Sequence, residues 1–184
     1  MLMGALLAAG ASTRFGAEDK LLAAWRGEPL VTWPARALCA AGCDMVIAVV
    51  SSPSVAAVLP AGMRCLSVGT GLPMSASFGA ALREARRRKA RGLVLCLGDM
   101  PNVTPGLLHR LSGMHGTAAC LQGTRRLPPA LIAAGDFAHA LTLSEGDHGA
   151  RALIAALPPA RLLPIPSAEA LDIDTIEDLR HALP

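Results

Sequence analysis

Two uninterrupted apolar runs, Met-Val-Ile-Ala-Val-Val at 45–50 and Gly-Leu-Val-Leu-Cys-Leu at 92–97, constrain this chain more than any other feature. A strand with one solvated face alternates apolar and polar residues. These runs do not alternate, so each predicts a strand covered on both faces. Strands of that kind lie in sheets with helices packed above and below. Residues 5–9, Ala-Leu-Leu-Ala-Ala, open a further apolar strand, and 63–68 reads as another.

The intervening stretches carry helical signals. Glu28-Pro29 offers a proline for a first helical position of a helix running to Ala41 and stopping at Gly42, but Pro34 is tolerated only in the first turn, which implies a start nearer Leu30 to Trp33. A short helix is expected over 54–59. A long one is expected over 76–90, N-capped by Ser75, with Phe78, Ala81, Leu82 and Ala85 on one face. A helix over 105–111 follows, then strands over 117–121 and 127–132 joined by a turn at 123–126. Asp136 and Asp147 are placed to cap helices over 137–143 and 148–157. An extended piece over 161–173 leads to a C-terminal helix. Strands alternating with amphipathic helices predict a Rossmann-like three-layer α/β/α sandwich with a mainly parallel central sheet. At 184 residues one domain, 1–184, accounts for the chain.

In such sheets ligands bind beyond the carboxyl ends of the strands. Residues 8–20, 69–75 and 98–101 are all loops that follow strands, so they share one expected cleft. The first, Ala-Ala-Gly-Ala-Ser after Leu7, has so little side-chain bulk that its backbone N–H groups can close on an anion. Arg14 and Lys20 then add full charges. A P-loop run is absent, and Gly69-x-Gly71 lacks the third glycine of a dinucleotide fingerprint because Met74 stands there. Asp99 leaves the buried 92–97 strand at a rigid position where a hard carboxylate can hold Mg²⁺. Asp174 and Glu177 are spaced as a capping box, so Asp174 is either a helix cap or a second metal-site residue. Asp172 ranks below it.

The opening pattern Leu-Ala-Ala-Gly-x-Ser-x-Arg-x-Gly-x-x-x-Lys resembles the signature of the MobA-like nucleotidyltransferases, and within them the molybdenum-cofactor cytidylyltransferase branch. Leu-Gly-Asp99-Met-Pro is similar to the family's Leu-Gly-Asp-Gln-Pro metal-binding segment, with Met100 replacing Gln. Asp172-Ile-Asp174-Thr-Ile-Glu-Asp-Leu is similar to its closing segment, with Ile176 replacing Pro. The resemblance implies a nucleotide site of Leu7, Ala8, Ala9, Gly10, Arg14, Lys20, Gly71 and Ser75, with Arg14, Lys20 and Asp99 catalytic and Asp99 and Asp174 on Mg²⁺. It implies Arg14 at the outer phosphates and Lys20 at the α-phosphate, a division that suits a bidentate guanidinium and a point charge. It implies an acceptor site near Pro129, Asp147 and Arg151, although Asp147 and Arg151 serve equally as a helix cap and its first-turn neighbour. Pro128 stands where many molybdopterin cytidylyltransferases have His.

The implied reaction joins a nucleoside triphosphate to the phosphate of molybdopterin cofactor, with a molybdoenzyme as the partner receiving the product. Ala9 favours CTP over GTP, because the guanylyl branch has Gly there. A sugar or polyol phosphate is the alternative acceptor, and a non-catalytic cofactor chaperone the alternative class.

Composition narrows the rest. A net charge of +3 gives no nucleic-acid footprint, and the basic run at 86–91 reads as a solvated helix end favoured by the helix dipole. Five cysteines without a C-x-x-C pair indicate neither a disulfide framework nor a zinc site, which fits a reducing cytoplasm. The apolar start has no basic residues before it and is expected to be a strand rather than a secretion leader. No apolar run is long enough for a membrane span.

Overall fold

The computed structural model describes residues 1–10, 15, 19–144 and 149–182. Strand β1 (Leu2–Ala8) leads to a 3-10 turn (Lys20–Leu22), a small antiparallel hairpin of β2 (Ala24–Trp25) and β3 (Glu28–Pro29), and helix α1 (Thr32–Cys39). Then come β4 (Met45–Val50), α2 (Pro53–Ala57), β5 (Arg64–Ser67), α3 (Met74–Arg87), β6 (Gly92–Leu97) and α4 (Pro105–Ser112). The remainder is β7 (Ala118–Gln122), β8 (Arg125–Ala133), α5 (Phe137–Ser144), α6 (Gly149–Ala155), β9 (Leu162–Pro164) and α7 (Ile176–Ala182).

Seven strands form one sheet in the order β5-β4-β1-β6-β8-β7-β9. β5, β4, β1 and β6 are mutually parallel, β8 runs against both β6 and β7, and β9 is parallel to β7. The strand period of two splits each apolar run between the two faces. Leu6, Ala48, Val94 and Cys96 pack with Leu38 of α1, Val55 of α2 and Leu107 and Leu111 of α4. Ala5, Leu7, Ile47, Val49, Leu93 and Leu95 pack with Phe78 and Leu82 of α3, Phe137 of α5 and Leu153 of α6. The sheet is thus covered on both sides, as the unbroken apolar runs require.

Several local expectations are corrected. Pro29 lies in β3 and not at a first helical position, while α1 begins at Thr32, as the demand that Pro34 sit in the first turn implies. Ser75 does not cap α3: Pro73, extended at φ −65° and ψ 158°, takes the N-cap position, and Ser75 is buried within the first turn. Asp136 belongs to a 3-10 turn and accepts a hydrogen bond from the Thr117 hydroxyl instead of capping α5. The β7–β8 turn is Gly123-Thr124, tighter than expected, because Gly123 supplies the positive φ of +60° that a two-residue hairpin needs. The expected cap Asp147 lies outside the described residues.

The basic run behaves as a solvated helix end. Glu84 pairs with Arg87 and Arg88 across the last turns of α3, and hydrogen bonds from Arg87 hold its carboxyl well below the usual range. The five cysteines are unpaired. Among the described residues no helix is long and apolar enough to cross a membrane.

Gly98 ties the first loop to the end of β6. Its N–H donates to the Leu7 carbonyl, and a Cβ there would stand 3.2 Å from Leu21 and 3.3 Å from the Leu7 oxygen. Since the carbonyl belongs to an interior strand and cannot yield, Gly98→Ala should destabilise the protein by about 1–3 kcal/mol. Thermal or urea unfolding measures this.

Candidate active site

The carboxyl edge of β1 and β6 brings together Lys20, Asp99 and Asp174 of the residues expected from the sequence. At the end of β1, Leu7 and Ala8 point into opposite cores and leave only their backbone for a ligand. Ala9 is buried, its carbonyl accepting from the Ser51 hydroxyl at 3.4 Å, and Gly10 is exposed. Arg14 lies outside the described residues.

Lys20 opens the 3-10 turn, whose start is capped by Asp19 accepting from the Leu21 N–H at 3.0 Å. Leu21 is buried against Gly98, and its carbonyl accepts from Val31 N–H. The turn is thereby fixed above the end of β6. Lys20 Nζ donates to Asp99 Oδ2 at 2.8 Å and to Asp174 Oδ1 at 3.2 Å. Burial alone would lower the Lys20 pKa, but the Asp99 and Asp174 carboxylates outweigh it and hold it above the ordinary lysine value.

The segment after β9 brings in a third acid. Ile173 N–H donates to the Asp99 carbonyl at 3.1 Å, and its side chain is fully buried beside Phe15, Trp25 and Leu30. In an extended segment, residues two apart share a side. With Ile173 turned into that small core, Asp172 and Asp174 both turn toward Asp99, and carboxylate oxygens of all three lie within 4.8 Å of one another. Burial pushes Asp172 up to about 7, aided by the Asp99 and Asp174 charges, while Lys20 and Arg125 oppose the rise. Asp172 is the residue that sequence reasoning underrated. Asp-x-Asp around an isoleucine was the available signal, since period two predicts the shared face.

Asp174 is not the helix cap. Thr175 takes that place: its Oγ1 accepts from the Asp178 N–H at 3.1 Å, and Asp178 Oδ2 accepts from the Thr175 and Asp174 N–H groups at 2.8 and 3.1 Å. The capping box is therefore Thr175 with Asp178, one residue later than Asp174 with Glu177. The shift releases the Asp174 carboxylate for Lys20 and the acidic cluster.

Other expected residues lie on further elements. Gly71 is exposed at φ +72° in the loop after β5, and Ser75 is buried at the start of α3. Pro129 is buried in β8 just beyond the last β6 pair, Leu95 with Ala130, and so lies toward the same edge. Arg151 is exposed on α6, which packs on α3 and α5, and Asp147 is not among the described residues. Met100 is 1% exposed within the core beneath the edge, so the departure from Gln at that position is a packing change.

The donor set fits a hard divalent cation. It is all oxygen, carries three carboxylates against one lysine, and leaves Asp99 Oδ1 and Asp172 Oδ1 buried without a hydrogen-bond partner among the described residues. Asp99, Asp172 and Asp174 are the residues that would hold it.

Because Asp174 does not cap, Asp174→Asn should leave the unfolding midpoint unchanged while weakening Mn²⁺ binding at least tenfold. Thr175→Ala should do the reverse, costing about 0.5–2 kcal/mol of stability. Thermal melts and Mn²⁺ titration of the two variants separate the roles.

A model of the MobA-like NTP transferase domain matches residues 4–161. A search of curated protein sequences gave no significant match. Among solved structures, Rv0371c from Mycobacterium tuberculosis H37Rv is 29% identical over 99% of this chain and 96% of its own, with a TM-score of 0.85. The same protein in complex with manganese is similar at 27% identity, 99% and 97% coverage and a TM-score of 0.81. Molybdopterin-guanine dinucleotide biosynthesis protein A from Archaeoglobus fulgidus, 20% identical over 98% of this chain and 96% of its own, shares the fold at a TM-score of 0.68. With 4–161 covering the sheet from β1 through α6 and both loops that carry Lys20 and Asp99, this chain belongs to the MobA-like NTP transferase family of nucleotidyltransferases.

Proposed function

We propose that this protein transfers a cytidylyl group from CTP to the phosphate of molybdopterin cofactor and releases pyrophosphate, with Mg²⁺ as its cation. The observation that carries the reading is the convergence of Lys20 with Asp99, Asp172 and Asp174 beside a small-residue loop at the sheet's carboxyl edge. The manganese complex of a relative 27% identical supports the divalent cation. Ala9 in Leu-Ala-Ala-Gly is the feature favouring CTP.

In this reaction an acceptor phosphate oxygen attacks the α-phosphorus, a new P–O bond forms, and the bond to the β-phosphate oxygen breaks with its electron pair leaving on pyrophosphate. The bound cation supplies positive charge to the phosphate oxygens. Lys20, poised beside the carboxylates, stabilises charge growing on the α-phosphate, and Arg14 grips the outer phosphates. The backbone of Leu7, Ala8, Ala9 and Gly10 closes on the triphosphate, while Gly71 and Ser75 border the base and ribose. No protein nucleophile is needed, because positioning and electrostatics lower the barrier. Arg125, exposed at the β7–β8 turn and acting electrostatically on Asp172, is a cation available to the acceptor phosphate on that side. Pro129, Asp147 and Arg151 complete the proposed acceptor side. The same reading makes the chain a single cytoplasmic domain that hands its product to a molybdoenzyme.

Pyrophosphate release measured over a panel of triphosphates and acceptor phosphates tests this. CTP with molybdopterin should be the productive pair, Asp99→Ala should abolish turnover, and Lys20→Ala should lower kcat by about 10²–10³-fold with a smaller effect on KM for CTP. Turnover with sugar phosphates alone would reassign the acceptor. Triphosphate binding without pyrophosphate release from any pair would make the protein a binding module.

A further inference from the structure

Two of the three clustered carboxylates sit on a segment that belongs to no strand. After β9 the chain crosses the carboxyl edge of the sheet and reaches the end of β6 at residues 172–174. Its position there must be set by what it touches on the way. Ile165 N–H donates to the Leu121 carbonyl at 2.9 Å, and Gln122 Nε2 donates to Ser167 Oγ at 3.0 Å. Asn102 Nδ2 donates to the Ala168 carbonyl at 3.1 Å. The polar contacts then concentrate on Glu169. Its Oε1 accepts from the Thr104 hydroxyl at 3.1 Å, and its Oε2 faces Arg110 Nη2 at 3.6 Å.

Thr104 is not a passive partner. Its Oγ1 also accepts from the Leu107 N–H at 3.1 Å and so caps α4, whose Leu107, Leu108 and Leu111 are buried in the core. Arg110 lies one turn further along the same helix. Glu169 therefore grips both the N-terminus and the second turn of a helix that packs against the sheet. Only two residues, Ala170 and Leu171, separate Glu169 from Asp172. Ala170 and Ile173 between and beyond them are buried, and Ile173 is bonded to Asp99, so little slack remains to absorb a displacement.

We propose that Glu169 is a positioning residue for the divalent-cation site. Through Thr104 and Arg110 it fixes the crossing segment so that Asp172 and Asp174 meet Asp99 at ligating separation. This inference rests on the cation site described above and deepens the proposed function. Groups that orient ligands from outside the site commonly matter 10–100-fold for metal affinity. Glu169 also borders an open surface cavity of about 520 Å³ lined by Thr104, Gly106, Leu107, Arg110 and Pro166, so shortening it opens no hole in the core.

The test measures Mn²⁺ affinity of the full chain by the fall in free-ion electron paramagnetic resonance signal, with thermal melting alongside. Glu169→Ala should bind Mn²⁺ at least tenfold more weakly. Glu169→Gln, which keeps an acceptor for Thr104 but loses the charge facing Arg110, should fall in between and serves if the alanine variant does not fold. In turnover, kcat should drop at saturating Mn²⁺ with KM for CTP nearly unchanged. Variants that melt lower yet bind Mn²⁺ within twofold of the parent would overturn the proposal and leave Glu169 a structural residue. A parent that binds Mn²⁺ but releases no pyrophosphate would defeat the proposed reaction while the affinity comparison still decides the role of Glu169. A parent that binds no Mn²⁺ would defeat both.

Discussion

Three carboxylates brought within 4.8 Å of one another repel, and the architecture of this protein's edge is arranged to hold them there all the same. At an effective dielectric constant near 20, each ionised pair at that separation costs about 3 kcal/mol. Lys20 offsets part of this with contacts to Asp99 and Asp174, and Asp172 offsets more by holding its proton up to about pH 7. The signs are consistent: a carboxyl whose folded pKa is raised stabilises the fold less as pH climbs from its unfolded value through neutrality. A cation that replaces the proton on Asp172 relieves the same repulsion.

What withstands the repulsion is the sheet. Asp99 extends directly from β6, which is hydrogen-bonded on both sides by β1 and β8. Lys20 is fixed by the tight contact of Leu21 on Gly98 and by the capped turn that begins at Asp19. Asp172 and Asp174 depend on the buried Ile173 and on Glu169 gripping α4. A small core of Phe15, Trp25, Leu30 and Ile173 joins the loop after β1, at Phe15, to the acidic segment. Arg26 over the Trp25 ring at 5.3 Å closes the outer side of that core.

The strands and their burial were legible because a sheet covered on both faces demands unbroken apolar runs, and 45–50 and 92–97 supply them. Asp99 was legible for a related reason, since it stands where the buried β6 releases the chain, whereas Lys20 and Asp174 were picked out by the spacing of the motifs that hold them. Errors arose where competing local choices differ by one or two residues. Ser75 and Asp174 both look like caps, yet Pro73 and Thr175 take those positions, because tertiary contacts select among near-equivalent helix starts. Asp172 ranks low in the sequence because its proximity to Asp99 is created by a segment that passes β7 and β8 on its way from β9 to β6, a non-local fact that periodicity alone cannot give. The Glu169 contact is less visible still, as Thr104 and Glu169 are 65 residues apart.

Anomalous diffraction at the manganese edge from crystals grown with Mn²⁺ is the direct check on this picture of the edge. One strong peak within coordination distance of Asp99, Asp172 and Asp174 together is the expected result, with Lys20 Nζ turned from the carboxylates toward the position of the phosphates. A peak elsewhere on the molecule, or none while Lys20 keeps its contacts to Asp99 and Asp174, would contradict it.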